Sequence, residues 1–126
     1  MTQPAAQDTG PDDEPELEPV YPDVQSWVEN LYTTTFIRPD NQQLRWCTCW
    51  WAHPEAIIRL TALWQTWEMA RLVSGVGIAD WLRIYLDSLA PVLHSSSGPF
   101  ASCTPDKHTD QQPMALTDPP AGYWDR

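Results

Sequence analysis

Hydrophobic residues in the first half of the chain recur at helical spacing, beginning just after Pro22 and Asp23. A proline suits the first turn of a helix, and an early acidic side chain complements the helix dipole. The apolar positions that follow, three or four residues apart, are Val24, Trp27, Val28, Leu31 and Tyr32. This spacing predicts an amphipathic helix. The run Thr33-Thr34-Thr35 is predicted to end it, because β-branched residues favour extended backbone.

A longer helical pattern starts at Pro54, with Glu55 beside it in the predicted first turn. Its inward seam consists of Ile57, Leu60, Trp64, Trp67 and Arg71, and is widened by Ala56, Leu63 and Ala70. A helix that is apolar on two sides is expected at the centre of a domain. The sequence Ser-Gly-Val-Gly at residues 74–77 is predicted to end it.

A third helix is predicted from about residue 79 to residue 89, and Pro91 is expected to break or restart it. Between the first two helices, residues 34–38 and 44–47 are β-prone and flank the turn sequence Pro39-Asp40-Asn41, which favours a short hairpin. The predicted fold class is therefore mainly α, a small three- to four-helix domain with a short β-hairpin, flanked by disordered tails.

The folded domain is predicted to cover residues 21–108. Residues 1–20 hold six acidic residues and no basic residue, and residues 109–126 are also rich in proline and polar side chains. Such segments bury too little apolar surface to offset their ordering entropy, so both are predicted to be disordered. The net charge of −10 is largely a property of the N-terminal segment, because residues 21–104 carry seven acids against five arginines. Such an arm is more typical of a solubilising tail than of a nucleic-acid mimic.

The sequence contains no apolar run of the length that a membrane span needs, and it begins without the basic and apolar regions of a signal peptide. We therefore expect a cytoplasmic protein that does not enter the membrane. In a reducing compartment, cysteines are more often thiols or metal ligands than disulfides.

Residues 46–53, Trp-Cys-Thr-Cys-Trp-Trp-Ala-His, are unusually rich in tryptophan and cysteine. His53 occupies the predicted N-cap of the central helix, where Ser, Thr, Asp or Asn would cap better. Cys47 precedes His53 by six positions, and Cys103 precedes His108 by five. Two Cys/His pairs, each closed by a turn, offer the four ligands of a structural zinc site.

Other interpretations of these residues stay open at the sequence level. The three cysteines are also explained as buried core thiols, as a disulfide or as a reactive cysteine. Cys49 could replace one of the four ligands, and His94 is a weaker candidate that fits a surface position beside a loop. Cys47 or Cys49 with His53 could form a nucleophile–base dyad, although nothing in the sequence supplies an oxyanion hole.

Tryptophans near arginines suggest a second kind of site. The predicted binding surface consists of Arg38, Arg45, Trp46 and Trp50, because aromatic rings and guanidinium groups stack on single-stranded bases. The absence of a basic excess argues against nucleic acid as the main ligand. Most tryptophans are expected in the core, since large aromatic residues dominate the burial energy of small domains.

Four motifs, Arg45-Trp46-Cys47, Trp50-Trp51, His53-Pro54-Glu55-Ala56 and Gly98-Pro99-Phe100, are similar to the pattern of the actinobacterial family DUF4913. The family pattern contains both Cys/His pairs and omits Cys49, so the resemblance supports the four-ligand zinc site. The family is uncharacterised and associated with plasmids, integrative elements and phages. That association implies an accessory role in a mobile element.

The expected function is a small non-enzymatic interaction module, stabilised by zinc, that binds a protein partner through part of its tryptophan-rich surface. The alternative is a nucleic-acid-associated accessory factor, and a cysteine-dependent enzyme is the third hypothesis.

Overall fold

The computed structural model describes residues 18–125, and three helices form the fold within them. Helix α1 covers residues 24–35, as the α-helical Val24–Trp27, a π-helical turn Val28–Tyr32 and the α-helical Thr33–Thr35. A short 3₁₀ turn, Trp50–Ala52, precedes helix α2, Pro54–Ala70. Helix α3 covers residues 77–93, as Gly77–Trp81, a second π-helical turn Leu82–Leu86 and Asp87–Leu93.

The prediction of a mainly helical fold is confirmed, but the predicted β-hairpin is not shown. Thr33–Thr35 continues α1, because the hydroxyls of Thr33 and Thr34 each donate to a carbonyl of the preceding turn at 3.0 Å. Leu44 forms an isolated antiparallel bridge with Ser95 instead of pairing with residues 34–38. One residue of the second predicted strand, Leu44, therefore pairs with the chain that leaves α3.

Two glycines shape the connection between α2 and α3. Gly75 has a positive φ of 87°, which a residue with a side chain rarely adopts. Gly77 lies so close to α2 that a Cβ atom there would stand 1.9 Å from the Ala70 carbonyl oxygen. α3 therefore begins directly against the end of α2. It also continues through Pro91 to Leu93, so the predicted break at this proline is wrong.

The core forms where α1 and α3 pack on α2. Its large, fully buried side chains include Trp27, Trp81, Leu60, Leu63, Leu93 and Phe100. The rings of Trp27 and Trp81 meet edge to face with centroids 6.3 Å apart. Trp51 is an exception among the tryptophans of the central segment, with 62% of its surface exposed. No helix in the described part of the chain could cross a membrane.

The predicted acidic tail, residues 1–20, lies largely outside the described residues. Residues 112–125 have exposed side chains and no helix or strand. The division into one domain between two disordered tails stays a prediction.

Glu68 joins the chain before α1 to α2. Its largely buried carboxylate accepts the backbone N–H groups of Val20 at 2.9 Å and Tyr21 at 3.0 Å, and pairs with Arg71 at 2.8 Å. Burial raises the pKa of this carboxyl, but the backbone donors, Arg71 and Trp64 together lower it by more, so the pKa lies below its ordinary value.

We expect Glu68→Gln to lower the free energy of unfolding by about 2 kcal/mol at pH 7, because it weakens several charge-assisted hydrogen bonds. A pKa that is lower in the folded state gives stability that is present above the unfolded pKa, about 4.3, and is lost as the pH falls through the folded pKa. The difference between wild type and variant should therefore shrink below about pH 4. Urea unfolding of wild type and variant, at pH 7 and below about pH 4, measures this difference.

Glu55→Gln is the matched control for this substitution. Its half-exposed carboxylate pairs with Arg59 on the surface of α2, so its loss should cost less than about 0.5 kcal/mol. A Glu68→Gln effect as small as the control, or one that does not change with pH, would contradict the prediction.

Candidate metal centre

Four side chains from two distant segments meet at the start of α2. They are Cys47, His53, Cys103 and His108, and their four ligand atoms all lie within 4.8 Å of one another. Three of the residues are buried and His108 is half-buried. The structure thus brings together all four residues that the sequence singled out, in a Cys₂His₂ cluster that could hold a metal ion.

Each Cys/His pair is closed by a local turn. In the first pair, the 3₁₀ turn reverses the chain, because the backbone N–H of His53 donates to the carbonyl of Trp50 at 3.1 Å. In the second, Thr104 and Lys107 bond to each other's backbone at 2.9 and 3.2 Å and bring Cys103 back towards His108. His53 has no side-chain capping bond to α2, so its ring is available to the cluster.

Four of the six distances among the ligand atoms are close to the edges of a tetrahedral site. His108 Nδ1 lies 3.2 Å from Cys47 Sγ and 3.2 Å from His53 Nε2. Cys103 Sγ lies 3.5 Å from His53 Nε2 and 3.8 Å from His108 Nδ1. The ordinary bond lengths of zinc to sulfur and nitrogen give tetrahedral edges of about 3.3–3.8 Å. These four spacings are therefore close to those around a shared ion, and no pair of ligand atoms is more than 4.8 Å apart.

Hydrogen bonding among the four side chains does not explain this arrangement equally well. His108 Nε2 lies 2.6 Å from the Asp110 carboxylate, which only accepts, so Nε2 carries a ring proton. In the neutral form of the ring this is the one proton, and Nδ1 is an acceptor. Nδ1 then turns a single lone pair towards three close neighbours, Cys47 Sγ, His53 Nε2 and Cys103 Sγ. One lone pair accepts one hydrogen, whereas a cation at the centre would satisfy all four atoms.

The electrostatics of the cluster suit a metal ligand better than a nucleophile. Burial, followed by contact with the Cys103 thiol, raises the pKa of the Cys47 thiol to about 11. Burial also lowers the pKa of His53 and keeps its imidazole neutral. A catalytic cysteine needs partial exposure and a depressed pKa, and Cys47 is fully buried. A bound metal would deprotonate the thiol outright.

The predicted binding surface of Arg38, Arg45, Trp46 and Trp50 is not continuous. Trp50 is buried in the core, and the Arg45 guanidinium donates to the Cys103 carbonyl at 3.2 Å. Arg38, Arg45 and Trp46 nevertheless line one cavity of about 170 Å³, whereas Trp50 borders a different one. Arg45 therefore both supports the Cys103 loop and, with Arg38 and Trp46, lines a space that a ligand could enter.

His94 is neither a surface residue nor part of the cluster. Its buried ring donates from Nδ1 to the Arg45 carbonyl at 2.9 Å, because a carbonyl only accepts. Nε2 therefore accepts the hydroxyl of Tyr32, 2.7 Å away. This chain of bonds ties α1 to the segment before the first Cys/His pair. A lone histidine after a helix gave no signal of such a role in the sequence.

Asp110 is a second residue that the sequence analysis missed. It contacts His108 directly, although the predicted domain ended at His108. The available signal was an acidic side chain two positions after a candidate ligand, which is common on any polar segment.

A model of the family described as "Domain of unknown function (DUF4913)" matches residues 21–121. No curated protein and no solved structure matches the chain. The resemblance found at the four sequence motifs is thus confirmed over most of the chain, and the actinobacterial origin stays a prediction. The chain belongs to the DUF4913 family.

Proposed function

We propose that the Cys₂His₂ cluster binds one structural zinc ion, and that the domain is a non-enzymatic module for binding a protein partner. The observation that carries the zinc proposal is the convergence of four ligand atoms within 4.8 Å of one another, four of the six spacings being 3.2–3.8 Å. Two sulfur and two nitrogen ligands suit zinc among the common metals, and four protein ligands leave no open position for a substrate. The metal would then join the loop after α3 to the start of α2.

Metal content of the purified, untagged chain tests this directly. Native mass spectrometry should find one zinc ion per chain, and treatment with a strong chelator should remove it. If a different metal is bound, the cluster is a metal site but the assignment of zinc is wrong. A metal-free chain that keeps its fold and three free thiols would overturn the zinc proposal and leave the cysteines as core residues.

A groove between α2 and α3 is the surface that best suits a protein partner. Its apolar side chains are well exposed: Met69 at 68%, Val73 at 53%, Ile84 at 44% and Tyr85 at 41%. Exposed apolar patches of this kind mark interaction sites more often than scattered single residues do.

The groove has little charge, which suits an apolar partner. Among the described residues that line it, the charged one is Asp80, which pairs with Arg83 at 3.1 Å. The groove therefore offers no unpaired charge to a phosphate or to a basic peptide. We propose that it receives the apolar face of an amphipathic helix from another protein.

Selection from a display library of amphipathic helical peptides tests the groove without knowledge of the natural partner. Selected peptides should bind the full-length chain at least about tenfold more weakly in Ile84→Asp, because a charge in the groove must be desolvated. Ile58→Asp is the matched control, since Ile58 is 69% exposed on α2 and does not line the groove. Equal effects of the two substitutions would contradict the proposal.

The salt dependence of binding separates the two leading functions. Binding through the apolar groove should change little with added salt, whereas contacts with phosphates release counterions and weaken steeply. A chain that binds single-stranded DNA, loses it at raised salt and selects no helical peptide would favour the nucleic-acid alternative. That the partner belongs to a mobile genetic element stays a prediction.

A further inference from the structure

The segment that directly follows His108 contacts the Cys₂His₂ cluster from outside. We infer that residues 109–110, the supporting segment, hold two ligands of the metal site in place, with Asp110 as the positioning residue of His108. This inference rests on the proposed zinc binding and extends it. It moves the functional end of the domain beyond His108, where the sequence pattern placed it.

Asp110 determines which nitrogen of His108 faces the cluster. Its Oδ1 lies 2.6 Å from His108 Nε2, and a carboxylate can only accept. The ring proton therefore stays on Nε2, and the lone pair of Nδ1 is directed at Cys47 Sγ and His53 Nε2. A carboxylate behind a ligating histidine fixes the orientation of the ring and increases its basicity towards the metal.

Thr109, which precedes Asp110, contacts a second ligand. The backbone N–H of Thr109 donates to Cys103 Sγ at 3.4 Å, which would offset part of the negative charge of a metal-bound thiolate. Two consecutive residues thus support two of the four ligands. The family match, which continues past His108 to residue 121, includes this segment.

Not every acid near the site has this role. Asp106 lies in the turn between Cys103 and His108, where its side chain is exposed. It carries the same charge as Asp110 at a similar distance along the chain from His108, but the proton of His108 Nε2 is directed at Asp110. A comparison of the two residues therefore separates the effect of a specific hydrogen bond from the effect of nearby negative charge.

The test is zinc affinity in full-length variants, measured by competition with a chromophoric chelator. Asp110→Ala should weaken zinc binding about 10- to 100-fold, the usual consequence of losing such a partner. Asp110→Asn, which keeps a neutral acceptor, should lose less, and Asp110→Glu should recover part of the affinity. Asp106→Ala should stay within about twofold of wild type.

A second readout shows whether the effect acts through His108. In the zinc-bound chain, nitrogen-detected NMR of the histidine rings should show His108 with its proton on Nε2 and its metal bond at Nδ1. In Asp110→Ala, this pattern should weaken or mix, while the signals of His53 keep their pattern.

The outcomes for this inference and for the proposed zinc site are distinct. A wild-type chain without zinc affinity would overturn both. A wild-type chain that binds zinc, with Asp110→Ala equal to Asp106→Ala, would overturn the role of Asp110 alone. A His108 that binds metal through Nε2 would also overturn it.

Discussion

Cys47→Ser and His108→Ala are each expected to abolish stoichiometric zinc binding and to leave the domain largely unfolded at 37 °C. A ligand that binds only the folded state contributes about 4 kcal/mol when its free concentration is a thousandfold above Kd. Structural zinc sites commonly have binding free energies of about 10–16 kcal/mol, so the stabilisation can exceed this value. Small domains have total stabilities of about 5–15 kcal/mol, so the loss would remove a large share.

The structural reason lies in the position of the cluster. It joins the start of α2 to the loop after Phe100, and this loop has no helix or strand of its own to hold it. Without the metal, the loop would be held by the Arg45–Cys103 hydrogen bond and by the burial of Phe100 and Cys103, and the half-buried His108 would lose its attachment to the start of α2. The measurement is thermal unfolding by circular dichroism together with metal content, for wild type with and without chelator and for both variants.

Cys49→Ser is the matched control, because Cys49 lies in the same segment but outside the cluster. It should keep one zinc per chain and a nearly unchanged Tm. Chelator should lower the Tm of wild type and Cys49→Ser alike, and should have little effect on Cys47→Ser. A Cys47→Ser variant that keeps both its metal and its Tm would show that Cys47 is not a ligand.

The cluster could be predicted from the sequence to a useful extent because its two halves are local. Cysteine and histidine five or six positions apart, with a turn between them, point to shared metal binding whatever the remaining fold. That the two pairs meet is a long-range property, since Cys47 and Cys103 are separated by both α2 and α3. Residue type supplied the hypothesis, and only the packing of the helices supplied the distances.

The structure does not show the predicted hairpin, because β propensity depends on pairing partners that a local sequence pattern does not reveal. The hydroxyls of Thr33 and Thr34 donate hydrogen bonds to carbonyls of α1. These bonds are compatible with helical backbone, so the threonine run does not need to be extended. Leu44 pairs with Ser95, from which α2 and α3 separate it along the chain. The roles of His94 and Asp110 were missed for the same reason, because each depends on one specific contact.

Trp81→Ala is expected to lower the free energy of unfolding by about 3–5 kcal/mol, the usual range for removing a large buried aromatic side chain. Trp81 is 1% exposed and packs edge to face on Trp27. Its indole Nε1 donates to Thr66 Oγ1 at 2.9 Å and to the Leu63 carbonyl at 3.2 Å. The substitution would therefore remove both the contact between α2 and α3 and a satisfied polar group. Urea unfolding in the presence of zinc measures the change.

Replacing Trp27 or Trp81 by phenylalanine separates the contribution of packing from that of hydrogen bonding. Trp27 is as fully buried as Trp81, but its Nε1 has no hydrogen-bond partner among the described residues. Trp27→Phe removes a buried donor that gains nothing from folding, whereas Trp81→Phe removes a donor with two acceptors. We expect Trp81→Phe to be the more destabilising by about 1–3 kcal/mol. Equal costs would show that the bonds of Trp81 add nothing to its packing, and that volume alone sets the contribution of both rings.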